Sequence, residues 1–311
     1  METKIKEKNF ISAVLYMNSA ASVDILDTFV SNLIGLLNEN FAHFEIICVD
    51  DDTPEAYSDM IRQKAVSGSP ITILHMSHYQ GIEIAMNAGR DLAIGDFIIE
   101  FDECTWNFPD DMIMKVYERC LQDVDIVSCS DTAKKHLTSK LFYLIFNHFS
   151  DFKYDLHSDN FRILSRRSIN RIQSLNRTVP YRKALYANSG LTMDTLSYTS
   201  DNSGYASGRK ARKTRKALAV DSLLLFTNVG YKCSFSLSLL MVMIMILCAI
   251  YTIVIYINHI AIEGWTTTML FLSFAFFGLF TILTIVIKYL SLLLNLSFKR
   301  NRYLYSSVEK L

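Results

Sequence analysis

The chain has 311 residues, more than one ordinary domain needs. Its 31 basic residues balance 31 acidic ones, and a formal net charge of +0 gives no general pull toward nucleic acid, which we exclude as a partner. Six scattered cysteines with no C-x-x-C pair argue against a zinc cluster or a disulfide frame and fit a reducing cytosol.

Phe10 to Asn18 reads as a first strand, too short and too strand-like for a signal peptide. Asp24 to Leu37 carries apolar residues at helical spacing, and Phe44 to Val49 is a second strand running straight into Asp50-Asp51-Asp52. A short helix (60–66), a third strand (71–74) and a helix (81–92) with a small-residue face at Ala85, Ala88 and Gly89 follow. Gly95-Asp96 then turns into Phe97-Ile98-Ile99-Glu100-Phe101, a buried strand that ends in Asp102-Glu103-Cys104. Strand and helix alternating in this rhythm predict an α/β fold, a mostly parallel sheet with helices on both faces. In such a sheet the two acid clusters fall on the same edge, the edge where open α/β sheets bind ligands. Carboxylates there suit Mg²⁺ or Mn²⁺, and the cation suits a diphosphate; the alternative is a pair of solvated acidic turns.

Farther along, Asp125 to Cys129 is another strand. The segment 137–152 is apolar and aromatic with lysines at its start, a pattern that fits either an interfacial amphipathic helix or a core helix. In Asp159-Asn160-Phe161-Arg162, Arg162 suits a phosphate and Asp159 suits sugar hydroxyls or metal; a strand-edge salt bridge is the alternative. Ser207 to Lys216 holds six basic residues in ten, including Arg209 and Lys210, suited to anionic headgroups or a phosphate, or else a solvated face.

Two apolar runs of about 23 residues, 235–257 and 265–287, are each long enough to cross a hydrocarbon core. The loop between them has no Lys or Arg, while basic residues crowd both outer flanks. The positive-inside rule then puts both flanks in the cytoplasm. The expected organisation is a cytoplasmic domain over 1–232, a transmembrane hairpin over 233–290 and a cytoplasmic juxtamembrane tail over 291–311. The protein is expected to be a multi-pass inner (plasma) membrane protein with both termini cytoplasmic.

The order of these motifs resembles glycosyltransferase family 2. It is carried by Glu45 to Asp51, by Gln80-Gly81 through Gly95-Asp96, and by Phe101-Asp102. Ser139 to Tyr143 and Asp159 to Arg167 are similar to the subset that makes polyprenyl-phosphate sugars, dolichol-phosphate mannose synthase included. The resemblance implies a GT-A-like Rossmann-type fold and an inverting transfer from a nucleotide-sugar, of UDP- or GDP-hexose type, to polyprenyl (undecaprenyl) phosphate in cell-envelope polysaccharide synthesis. Homo-oligomers are expected. It also implies donor contacts at Tyr16, Asn18, Asp50, Asp51, Gly81, Asp102 and Glu103, and catalytic roles for Asp102, Asp159 and Arg162. Arg162, Arg209 and Lys210 would hold the acceptor or its phosphate, and Asp102 with Glu103 a Mg²⁺ or Mn²⁺ ion. The family's D-x-D reads Asp102-Glu103-Cys104 here, and a thiolate is poorly matched to Mg²⁺. The alternative function is therefore a catalytically impaired member acting as a membrane-bound binding or scaffold protein.

Overall fold

The computed structural model describes residues 6–17, 21–65, 69–132, 137–150, 154–174, 181–200, 264–298 and 303–311, with scattered positions between 220 and 254. The chain divides into two compact units, one of residues 1–148, 152–219 and 299–311, the other of 149–151 and 220–298.

The first unit is built on one eight-stranded sheet. Its strands are β1 (Ile11–Met17), β2 (Phe44–Asp50), β3 (Ile71–Met76), β4 (Phe97–Phe101), β5 (Ile126–Asp131), β6 (Phe161–Ser165), β7 (Met193–Tyr198) and β8 (Tyr305–Lys310). They lie in the order β7-β5-β6-β4-β1-β2-β3-β8. Strands β1 to β4 pair in parallel, β6 inserts antiparallel between β4 and β5, and β7 runs parallel to β5. All seven residues of β1 are buried, as a central parallel strand covered on both faces requires.

The period of two along β1 assigns its side chains to two cores. Ile11, Ala13, Leu15 and Met17 join the core beneath α1 (Val23–Asn40), α2 (Glu55–Ala65) and α4 (Met112–Cys120). Val14 and Tyr16 join the opposite core beneath α3 (Ile82–Leu92), α6 (Arg166–Ser174) and α7 (Arg182–Ala187). In α1 the buried residues Leu26, Phe29, Val30, Leu33 and Leu37 recur at helical spacing and form one apolar stripe. The small-residue face of α3 brings that helix close to the sheet. A Cβ on Gly89 would stand 2.5 Å from Val49 Cγ2 and 2.6 Å from Val14 Cγ1.

Helix α5 (Leu137–Phe149) matches the apolar segment read from the sequence; it exposes Leu141 and Leu144 and buries Phe146. Strand β8 is a feature the tail reading did not contain. The last residues turn back as an edge strand, antiparallel to β3.

In the second unit, α8 (Trp265–Phe298) runs unbroken for 34 residues with exposed Phe274, Phe277, Phe280, Leu283 and Ile287. Among the described residues no helix is long and apolar enough to cross a membrane. About half of the first expected span, 235–257, lies outside the described residues.

Candidate active site

Parallel pairing places the expected acids at one sheet edge. Met17 is the register partner of Asp50, and Leu15 that of Phe101, so Asp50 and Asp102 flank the end of β1. Two strand spacings separate their strands, about 10 Å.

On the β2 side the acids fasten backbone. Asp51 accepts from the backbone N–H of Gln80 at 2.7 Å and of Gly81 at 2.9 Å, and from the Tyr16 hydroxyl at 2.9 Å. Gly81 meets it at φ 87°, a conformation that glycine adopts without strain. Burial raises the Asp51 carboxyl above its ordinary value although three donors oppose the shift. Burial, with Asp51 adjacent, also pushes the Tyr16 phenol far up, which keeps it protonated and donating. Asp50 accepts from Thr53 N at 2.9 Å and Thr53 Oγ1 at 2.6 Å through Oδ1, while Oδ2 meets His75 Nδ1 at 2.8 Å. Asp51 thus ties Tyr16 to the Gly81 backbone, while the neighbouring Asp50 is held by Thr53 and His75.

On the β4 side lies a buried ionic cluster, created by strand register. Glu100 and Arg162 are direct partners across the β4–β6 pair. Arg162 donates to Glu100 at 2.8 Å, to Asp102 at 2.6 Å and to Asp159 at 2.8 Å. The three residues expected to be catalytic are therefore in contact. Arg162 is fully buried, however, and its guanidinium is occupied by three carboxylates instead of facing an open phosphate site.

Arg182, at the start of α7, supplies the second guanidinium. It reaches Asp102 at 2.7 Å, Glu100 at 2.8 Å and Glu83 of α3 at 3.0 Å. Lys183 pairs with Asp159, and the Tyr186 hydroxyl donates to Glu100 at 2.9 Å. Burial alone would raise the Asp102 carboxyl, but the charges of Arg162 and Arg182 hold it well below the usual carboxylate range. Asp159, Arg162 and Lys183 also line a recess together with Asp155 and His157. The sequence reading missed Arg182, Lys183 and Glu83. The signal for partners was present in Glu100, because a single charge inside a buried strand requires a counter-ion.

The expected metal ligands do not fit a divalent ion in this arrangement. Both Asp102 oxygens accept from guanidinium groups. Glu103 is exposed, and the Cys104 thiol is buried against the Tyr16 carbonyl at 3.5 Å. Burial pushes that thiol up, away from the thiolate a soft metal would need. Among the described residues no group of three or more His, Cys, Asp or Glu could hold a metal ion. Asn18, Arg209 and Lys210 lie outside the described residues.

Residues 23–172 match the family model Glycosyl transferase family 2, and the chain carries a domain of that family. It is 27% identical over 170 residues to an uncharacterised glycosyltransferase of Synechocystis sp., covering 53% of each protein. It is 26% identical over 160 residues to the bactoprenol glucosyl transferase of Shigella phage SfX, covering 50% of this chain and 52% of the relative. With the undecaprenyl-phosphate 4-deoxy-4-formamido-L-arabinose transferase of Aeromonas hydrophila it shares 30% identity over 111 residues, 35% of this chain and 33% of the relative. The matches to these three relatives thus span from a third to about half of each relative's length.

Proposed function

We propose that the protein is a membrane-anchored inverting glycosyltransferase that moves a sugar from a UDP- or GDP-hexose type donor to polyprenyl phosphate. The observation that carries this reading is the meeting of Asp102, Asp159, Arg162, Arg182 and Lys183 at the edge where Asp50, Asp51 and Gly81 also gather. The printed names of two relatives, acting on bactoprenol and on undecaprenyl phosphate, support the acceptor class.

In the proposed reaction an acceptor phosphate oxygen attacks the anomeric carbon. The bond from that carbon to the donor diphosphate breaks, and the electron pair leaves with the nucleoside diphosphate. The attacking oxygen is already anionic, so no general base is required, unlike transfer to a hydroxyl. One displacement inverts the carbon. Asp102, fixed by two guanidiniums and still partly open to solvent, is preorganised to accept hydrogen bonds from the donor. The described carboxylates do not form a site for Mg²⁺ or Mn²⁺, and the guanidiniums of Arg162 and Arg182 are the positive charge at Asp102.

The chain path supports an anchor: residues 152–219 and 299–311 belong to one unit, so a membrane segment between them would cross an even number of times. Two crossings fit the two apolar runs, and the basic flanks put the catalytic unit and both termini in the cytoplasm at the plasma membrane. The exposed Leu141 and Leu144 of α5 suit the interface beside the lipid acceptor.

A second reading, a catalytically impaired scaffold, is favoured by Cys104 in the D-x-D position and by the pinned Asp102. Purified full-length protein with labelled UDP- and GDP-sugars and undecaprenyl phosphate, with Mg²⁺, Mn²⁺ or chelator, separates the two. Sugar-lipid product supports the transferase; neither product nor nucleotide binding supports the scaffold.

A further inference from the structure

Strand β8 covers the open edge of β3, and edge cover alone would account for its backbone pairing. It does not account for where its side chains go. Glu309 lies beside His75, whose Nε2 it meets at 3.4 Å, and the other ring nitrogen of His75 meets Asp50 at 2.8 Å. Glu309 is itself fixed, because Arg62 of α2 grips both of its oxygens in a two-pronged bond at 2.9 and 3.0 Å. Arg62 is in turn held by Glu55 at 2.6 Å and Asp59 at 2.8 Å. A second link runs to Asp51. Leu304 donates to the Gln80 side chain at 3.1 Å and accepts from it, and the Gln80 backbone donates to Asp51 at 2.7 Å. The C-terminal segment therefore reaches both acids at the end of β2 by separate routes.

We infer that β8 is a working part of the donor site, with His75 and Glu309 as positioning residues that orient the Asp50 carboxylate toward the nucleotide. This deepens the transferase reading and rests on a nucleotide binding at this edge. Because β8 follows α8 directly in sequence, it also makes nucleotide affinity depend on the segment next to the membrane anchor.

The test uses the full chain in nanodiscs, with UDP and GDP titrated by calorimetry and thermal midpoints recorded alongside. Asn carries its amide where His carries Nδ1, so His75→Asn keeps the donor to Asp50, whereas His75→Leu removes it. His75→Leu and Glu309→Gln are expected to weaken binding of the preferred nucleotide by about three- to tenfold, the loss of one ordinary hydrogen bond's worth of positioning. His75→Asn, whose amide still serves Asp50 but does not reach Glu309, should bind with an affinity between those of wild type and His75→Leu. In the sugar-lipid assay the loss should fall on donor KM and leave lipid KM alone. Equal nucleotide affinity in wild type, His75→Leu and Glu309→Gln overturns the positioning role and leaves β8 as edge cover. A wild-type chain that binds neither nucleotide overturns the transferase reading, and this inference with it.

Discussion

Among single residues, Asp102 carries the largest electrostatic consequence. Its folded carboxyl is held below the ordinary value, so its ion pairs contribute fully above the unfolded value of about 3.9 and are lost only as pH falls below it. The Asp102→Asn variant should therefore lose the same stability at every pH from 5 to 9. Thermal midpoints of both proteins across that range check this, and a gap that widens with rising pH contradicts it. Replacing Arg182 by Met leaves Glu100, Asp102 and Glu83 short of a partner and should cost about 3–5 kcal/mol, read from denaturant unfolding of the purified protein. The sequence pattern made Asp102, Asp159 and Arg162 visible because a motif names them. Arg182 was not visible, since nothing local distinguishes it and only the packing of α7 over β4 brings it 80 residues back to Asp102. His75 escaped for the same reason: its partner Glu309 is 234 residues away.

At the scale of elements, most strands were legible because apolar runs of five to seven residues alternate with helices, and period two then fixed which side chains meet which core. The antiparallel insertion of β6 was not legible, because apolar patterning marks a strand without its direction. Nor was β8, whose side chains are mostly exposed and polar and so carry no burial signal. The small face of α3 was legible and has a direct test. A Cβ at Gly89 would press on Val14 and Val49, so Gly89→Val should destabilise the domain by about 1–3 kcal/mol through overpacking, seen as a lower unfolding midpoint. For α5, replacing the exposed Leu141 and Leu144 by Ser should raise the lipid KM while nucleotide affinity stays at the wild-type value; an unchanged lipid KM would remove α5 from the acceptor site.

For the whole molecule, the account joins a domain of glycosyltransferase family 2 to an apolar segment whose two flanks return to one unit. Under the proposed function, that path would put a water-soluble donor and a greasy phosphate on the same side of the bilayer, where tethering raises their effective concentration. The most direct test of the central claim is formation of a sugar-lipid by the full chain in nanodiscs containing undecaprenyl phosphate, with each labelled nucleotide-sugar in turn. The account predicts a lipid-extractable, anomerically inverted product with one donor, lost by at least about a hundredfold in Asp102→Asn while the folded protein stays in the membrane. Absence of product with every donor, or full turnover by the folded Asp102→Asn variant, would contradict it.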